Sequence, residues 1–314
     1  MARPLCVLLL PLLACLAGGC GVADRLVLGV NRAALDPAGA DRRVVTVDGR
    51  AVECWVARSP GATSPAATSP AATTPGPTSV PSGGGREPAA FVLLFVGRAS
   101  RVEPWVAAVA DSWGGRPVEV WGMNYPGFGG SDGPPRLDRV VPSAVGVYDA
   151  VRRVAGDRPV FCQASSLGTT AALALAARRP VAGLVLRNPP ALRPLLLGYY
   201  GWWNLWLLAG PVALSVPADL DSVANARRVA APAVFVTGGG DEVIPPAYQR
   251  PVVDAYAGPK RVIDVPGAHH ADRLTQEAAA ELADGRAWLW ASASLGGGGA
   301  PVVSGRGSGS LPSG

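Results

Sequence analysis

Short apolar runs alternate with alanine-rich stretches along most of the chain, and this alternation constrains the fold more than any other feature. The runs suited to buried strands cover residues 91–96, 118–121, 160–162, 184–186, 234–237 and 262–265. The stretches suited to helices cover residues 103–113, 142–154, 167–178, 246–256 and 273–291. Repeated strand–helix order is typical of an open, mostly parallel sheet with helices on both faces. The sequence therefore predicts a doubly wound α/β fold, with any ligand site at the carboxyl ends of the strands.

An antiparallel hairpin is expected at the start of this sheet. Residues 43–47 and 51–56 are strand-like, and Asp48-Gly49 between them is a strong signal for a two-residue turn. Residues 59–86 then interrupt the sheet with a near-repeat of Ala, Thr, Ser and Pro, which cannot offset its ordering entropy by burial. We interpret that segment as a linker, and the Gly- and Ser-rich residues 295–314 as a disordered tail.

The N-terminus has the pattern of a secretory signal. Residues 1–20 contain one positive residue, a short apolar stretch and then small residues. The end of this segment, Ala17-Gly18-Gly19-Cys20, resembles a bacterial lipobox, which implies lipidation of Cys20, with Cys15 as the alternative. The expected location is therefore extracytoplasmic, as a lipoprotein held to a membrane by this anchor, or alternatively secreted.

Composition argues against several classes of protein. The net charge is +5, but the 28 Lys and Arg residues are scattered, so no basic stripe suggests nucleic acid. Beyond residue 20 only Cys54 and Cys162 remain, both in apolar runs, which excludes a disulfide scaffold. Because no Cys/His cluster exists, we expect neither a metal nor a cofactor.

A candidate nucleophile stands between a predicted strand and a predicted helix. Ala164-Ser165-Ser166-Leu167-Gly168 joins them, which is the context of a nucleophile elbow. Such a sharp turn requires small residues two before and two after the nucleophile. Centring on Ser166 places Ala164 and Gly168 there, so Ser166 is favoured over Ser165.

A base and its carboxylate follow in the chain. A hydroxyl nucleophile needs a neutral imidazole, and the only two histidines are His269 and His270, directly after the last predicted strand. A glycine-rich turn after another strand supplies Asp241, with Glu242 as the alternative. The chain order Ser, Asp, His is that of one well-known hydrolase architecture.

These motifs resemble the α/β-hydrolase superfamily. Asn124-Tyr-Pro-Gly-Phe-Gly-Gly-Ser is similar to its loop after the fourth strand, and residues 231–245 and 266–270 are similar to its acid and histidine stretches. The resemblance covers residues 42–291, the expected domain, and is strongest to the extended-loop serine hydrolases with acylglycerol lipase-like and thioesterase-like members. It implies that His270 is the base rather than His269.

Further site features follow from the same resemblance. The backbone N–H groups of Arg98 and Leu167 would form the oxyanion hole. Uncharged residues 194–214, with five aromatic side chains, lie where this superfamily carries cap insertions, so a small cap is expected over residues 190–220. The alternatives are a buried helical pair without a substrate role and a contact with a membrane.

The expected activity is hydrolysis of an ester or thioester with an apolar acyl or aryl group. Ser166 would attack the acyl carbon, His270 would move the proton and Asp241 would orient His270. The expected partner is thus a small acyl substrate. One alternative is a non-catalytic surface lipoprotein that binds a partner or apolar ligand; another is the same triad acting on non-ester bonds, as in peptidases.

Overall fold

The computed structural model describes residues 19–33, 35–60, 87–201 and 209–296. Most of the predicted signal, nearly all of the linker, residues 202–208 of the predicted cap and residues 297–314 of the tail lie outside the described residues. The side chain of Cys20 is also outside them.

One sheet of eight strands forms the centre of the described structure. Its strands are β1 Asp41–Val47, β2 Arg50–Arg58, β3 Ala90–Phe95, β4 Val118–Met123, β5 Val160–Ser165, β6 Gly183–Arg187, β7 Ala233–Gly238 and β8 Lys260–Val265. Their spatial order is β1-β2-β4-β3-β5-β6-β7-β8. The β1–β2 and β2–β4 pairs are antiparallel and the other pairs are parallel. The predicted mostly parallel sheet with an N-terminal hairpin is confirmed.

The hairpin turn has the backbone that its sequence predicts. Asp48 and Gly49 both have positive φ, at 49° and 73°. Asp tolerates this region better than most residues and Gly adopts it freely, so the pair matches the right-handed twist of the two strands.

Helices cover both faces of the sheet. They are α1 Gly19–Leu28, α2 Val106–Asp111, α3 Leu137–Ala155, α4 Gly168–Ala176, α5 Leu192–Pro194, α6 Ala209–Ser215, α7 Ser222–Ala226, α8 Pro246–Ala255 and α9 Gln276–Gly296. A π-helix, Leu195–Tyr200, continues α5, and a 3₁₀ turn covers Ala218–Leu220.

Two separate hydrophobic cores result from the alternation of side chains along the strands. In β3, Phe91, Leu93 and Phe95 pack with α3, α4 and α8. Ala90, Val92 and Leu94 point to the opposite face, where α2 and α9 pack. Both faces of the central strands are therefore buried, as every residue of β3 and β4 shows, whereas the edge strands β1 and β8 are mostly exposed.

The first helix packs on a domain that the sequence predicted to begin at residue 42. Ala23, Val27 and Leu28 of α1 are buried, and the Ala99 amide donates to the Leu28 carbonyl at 2.7 Å. The apolar end of the predicted signal had concealed this helix, because both kinds of segment are short and hydrophobic.

The described part of the predicted cap consists of α5, the π-helix, α6 and the 3₁₀ turn. Among the described residues, no helix combines the length and the hydropathy that a bilayer crossing needs.

Candidate active site

Ser166 occupies a strained turn between β5 and α4. Its φ is 52°, a left-handed backbone that non-glycine residues rarely adopt. The turn leaves no space for a side chain at Gly168, where a Cβ would lie 2.4 Å from the Phe95 carbonyl oxygen. Gly97 is also close, since a Cβ there would lie 3.2 Å from Ser166 Cβ. These contacts give the physical reason for the small residues around the elbow.

His270 lies beside this serine although 104 residues separate them in sequence. It follows β8, and its Nε2 is 3.1 Å from Ser166 Oγ. Its other ring nitrogen, Nδ1, is 2.7 Å from Asp241 Oδ2. An imidazole that donates from Nδ1 to the carboxylate has a free lone pair on Nε2 and can accept a proton from the hydroxyl.

Asp241 is held rigidly in the turn after β7. Its side chain is fully buried, and its Oδ1 accepts hydrogen bonds from the amides of Val243 and Ile244 at 2.9 and 2.8 Å. Gln249 of α8 donates from Nε2 to Oδ2 at 3.3 Å. The sequence had not singled out Gln249, and only the packing of α8 against the turn reveals it.

The alternatives to His270 and Asp241, which are His269 and Glu242, contact each other instead. His269 Nδ1 is 2.8 Å from Glu242 Oε2, and both side chains are more than 60% exposed. The hydrogen bond to Glu242 raises the pKa of His269 above its ordinary value. Ser165 is the last residue of β5. The structure thus brings together Ser166, His270 and Asp241, and separates them from the exposed pair of His269 and Glu242.

The predicted oxyanion donors lie on both sides of Ser166. Leu167 precedes α4 directly, and Arg98 follows Gly97, which approaches Ser166. Within the described loops and turns, neither amide donates to a backbone carbonyl. The Arg98 side chain turns toward α1, where its Nε donates to the Leu26 carbonyl at 2.9 Å. Both amides are therefore available for another acceptor.

Two cavities meet at Ser166. The first, which we call the arginine chamber, has a volume of about 560 Å³ and lies at the carboxyl ends of β3, β5, β6 and β7. Its lining includes Arg187, Arg286 and Arg98, the last of which also lines the second cavity. The second, the apolar chamber, has about 470 Å³ and is lined mainly by aliphatic residues of α1 and the predicted cap, including Val27, Leu195 and Val212. Neither Arg286 nor the lining from α1 was foreseen from the sequence.

A metal-binding group is not found among the residues that the structure describes, since no three His, Cys, Asp or Glu side chains cluster there suitably. The two described cysteines, Cys54 and Cys162, are buried and free. Burial raises the pKa of each thiol to about 12, which makes both unreactive.

One family model and one relative from Mycobacterium tuberculosis match parts of this chain in sequence. A family model for the Hydrolase_4 family, described as serine aminopeptidase S33, matches residues 86–212. An uncharacterized protein of Mycobacterium tuberculosis (strain ATCC 25618 / H37Rv) is 31% identical over 189 residues, which are 58% of this chain and 61% of that relative. The chain thus spans less than two thirds of the length of this relative.

Solved structures share the fold at low identity. Acetyl xylan esterase 1 from Thermoanaerobacterium sp. JW/SL YS485 has a TM-score of 0.58 at 14% identity, covering 83% of this chain and 87% of that one. Est1E from Butyrivibrio proteoclasticus, solved with ferulic acid, has a TM-score of 0.57 at 14% identity, covering 80% of this chain and 99% of that one. With its sheet order and its serine between a strand and a helix, the described part of the chain has the α/β-hydrolase fold, and residues 86–212 are similar to the Hydrolase_4 family.

Proposed function

We propose that the protein is a serine hydrolase that cleaves an ester or thioester of an apolar acyl or aryl group. The hydrogen-bonded series Ser166, His270 and Asp241 carries this proposal, because it places a base 3.1 Å from a hydroxyl and a buried carboxylate 2.7 Å from the base. The match of residues 86–212 to the Hydrolase_4 family model supports a hydrolase, and one solved neighbour named above is an acetyl xylan esterase.

The first half of the reaction forms an acyl-enzyme. His270 Nε2 takes the hydroxyl proton of Ser166 while Oγ bonds to the acyl carbon, whose carbonyl oxygen becomes negative. The amides of Arg98 and Leu167 would donate to that oxyanion. When the intermediate collapses, the bond to the leaving oxygen or sulfur breaks, and His270 gives its proton to the leaving group.

Water completes the cycle. His270 takes a proton from a water molecule, the hydroxide bonds to the acyl carbon, and the bond to Ser166 Oγ breaks as the proton returns to Oγ. Asp241 keeps the imidazole in one tautomer and stabilises the imidazolium in both halves.

The apolar chamber supports an apolar acyl or aryl group. It opens onto Ser166, and aliphatic side chains of Val27, Leu195 and Val212 line it. A cavity of about 470 Å³ is within the range of sites for small molecules. This favours a substrate of the kind expected for the acylglycerol lipase-like and thioesterase-like groups of the superfamily.

We also propose that the protein is an extracytoplasmic lipoprotein held to a membrane by its N-terminus. We expect signal cleavage before Cys20 and lipidation of that residue, so that α1 connects a membrane anchor to the apolar chamber. Mass spectrometry of the mature N-terminus tests this, and an unmodified or uncleaved Cys20 would contradict it.

The deciding experiment uses a fluorophosphonate probe on the folded protein without its signal. Labelling should be abolished in Ser166→Ala and strongly reduced in His270→Ala, because one lacks the nucleophile and the other its base. Ser165→Ala and His269→Ala serve as matched neighbours and should label like the wild type. A folded wild type that takes up no probe would overturn catalysis and favour a non-catalytic protein that binds an apolar ligand.

A further inference from the structure

Arg286 is a buried cation at the wall of the arginine chamber. It lies on α9, retains 7% of its exposure and lines the same cavity as Ser166. Its Nη1 donates to the Ser112 carbonyl at 3.1 Å, and its Nη2 reaches Gln163 Oε1 only at 3.4 Å. Its Nε is buried and has no acceptor among the described residues. A guanidinium has five N–H donors, so this one is only partly satisfied.

The chamber offers no negative charge to compensate this cation. Its lining, taken from the described residues, contains three arginines and no Asp or Glu. Ion pairs within 4.0 Å link other arginines to carboxylates, but none involves Arg98, Arg187 or Arg286 within the described part of the chain. Burial lowers the pKa of Arg286 to about 10, so it stays charged at neutral pH. A buried charge without a partner is costly, and a bound anion would remove that cost.

His270 indicates which half of an ester would enter this chamber. It lines the arginine chamber and is absent from the lining of the apolar chamber, whereas Leu167 lines only the apolar one. Since His270 must give its proton to the leaving oxygen, the alcohol half lies on the His270 side. The acyl half then occupies the apolar chamber beside Leu167.

The distance between Ser166 and Arg286 determines how long the alcohol half must be. Gln163, which Arg286 contacts, lies on β5, and Ser166 follows three residues later in the turn after that strand. At about 3.3 Å per residue, the two backbone positions are at most about 10 Å apart. A short alcohol of several carbon atoms can span this distance.

The geometry points to a substrate whose alcohol half carries an oxyanion, a carboxylate or a phosphate, that binds Arg286 while the acyl chain fills the apolar chamber. This inference rests on the proposed function, because it assigns the two chambers relative to Ser166. Arg286 is a binding residue here, since its planar fork matches the two oxygens of a carboxylate or phosphate.

The test compares anionic substrates with their neutral counterparts. Octanoyl esters of glycolate, 4-hydroxybutanoate and 6-hydroxyhexanoate are compared with the same esters bearing a neutral primary amide in place of the carboxylate. Glycerol 3-phosphate and glycerol octanoyl esters form the phosphate arm. The wild type should show a kcat/KM at least about tenfold higher for the anionic member of one arm, as a charge-assisted hydrogen bond provides.

Variants then assign the preference to Arg286. The ratio of kcat/KM between anionic and neutral esters should fall toward one in Arg286→Met and be partly retained in Arg286→Lys, which keeps the charge. Arg179→Gln is the matched control, because Arg179 is paired with Asp149 away from both chambers and should keep the wild-type ratio. Equal turnover of anionic and neutral esters, or an unchanged ratio in Arg286→Met, would overturn the inference.

Affinity measurements on an inactive variant test the anion site independently of catalysis. In Ser166→Ala the nucleophile is absent, so calorimetry with the same ester pairs measures affinity alone. The anionic ester should bind about tenfold or more tightly than its neutral counterpart. Equal affinities contradict the anion site even if the wild type labels with fluorophosphonate, and a clear preference supports it even if labelling fails.

Discussion

Four hydrogen-bonding groups surround the Asp241 carboxylate, and this determines what a substitution there does. Val243 and Ile244 donate to Oδ1, while His270 and Gln249 face Oδ2. An asparagine side chain fits the same space. Its amide nitrogen, however, would donate to His270 Nδ1 and leave the ring proton on Nε2, which then cannot accept the Ser166 proton.

We therefore predict a large loss of activity without loss of fold in Asp241→Asn. The rate of fluorophosphonate labelling should fall by on the order of 10³- to 10⁴-fold, since the imidazole would hold the wrong tautomer. Gln249→Leu removes only one of these four contacts. It should lower the labelling rate about tenfold, which corresponds to the free energy of a single hydrogen bond. Similar losses in the two variants would show that tautomer control is not the role of Asp241.

At the scale of elements, α1 is tied to α3 by one side chain. The first residue of α3, Leu137, donates its amide to Asp24 Oδ1 at 2.9 Å, across 113 residues of sequence. Arg136, directly before α3, makes no capping hydrogen bond through its own side chain. Asp24 therefore does for α3 what an N-cap residue does, from a neighbouring helix.

Removal of this carboxylate should destabilise the domain moderately. We expect Asp24→Ala to lower the free energy of unfolding by about 1 kcal/mol, and Asp24→Asn, which keeps an acceptor, to lower it less. Chemical denaturation at pH 7 measures both. Equal stability of Asp24→Ala and wild type would mean that the contact contributes nothing.

The same residue gives a pH dependence. Burial raises the pKa of Asp24 above its ordinary value, although the Leu137 amide and Arg136 oppose the shift. The folded state thus holds this proton more tightly than the unfolded state, and stability falls as pH rises from the unfolded pKa through the folded one. Relative to Asp24→Asn, the wild type should gain stability as pH falls from 7 toward 4, and a loss over that range would contradict the shift.

At the scale of the whole molecule, the long linker begins and ends at one place. At its first residue, the Ser59 amide donates to the Val118 carbonyl at 3.0 Å, and after its last residue the Ala89 amide donates to the Pro117 carbonyl at 2.7 Å. Two adjacent residues at the start of β4 therefore fix both ends. The sheet is continuous across this point, and β2 and β3 each pair with β4.

Replacement of residues 61–86 by a six-residue Gly-Ser loop should therefore preserve the fold. Loop-closure entropy changes only with the logarithm of length, so the free energy of unfolding should rise by about 1 kcal/mol. Denaturation and fluorophosphonate labelling check stability and the site together. A shortened protein that fails to fold, or folds but labels differently, would show that the linker does more than connect β2 to β3.

The sequence by itself determined what depends on neighbours in the chain. Strand and helix order, the Asp48-Gly49 turn and the elbow around Ser166 follow from local periodicity, turn chemistry and residue size, and the fold agrees with them. The choice between adjacent candidates was different. Both histidines and both acidic residues occupied acceptable positions in the sequence. Asp241 was preferred to Glu242 and the family resemblance favoured His270, and the folded backbone shows that His270 faces Asp241 while His269 faces Glu242.

Tertiary structure alone decided the rest. The hydrogen bond between α1 and α3, the contact of Gln249 with Asp241 and the position of Arg286 in a chamber that reaches Ser166 join residues far apart in sequence. No periodicity marks such residues, because an arginine on a helix has the same local pattern whether it faces water or a cavity. Its surroundings depend on how the sheet and both helical layers pack, and that packing distinguishes a solvated charge from a binding site.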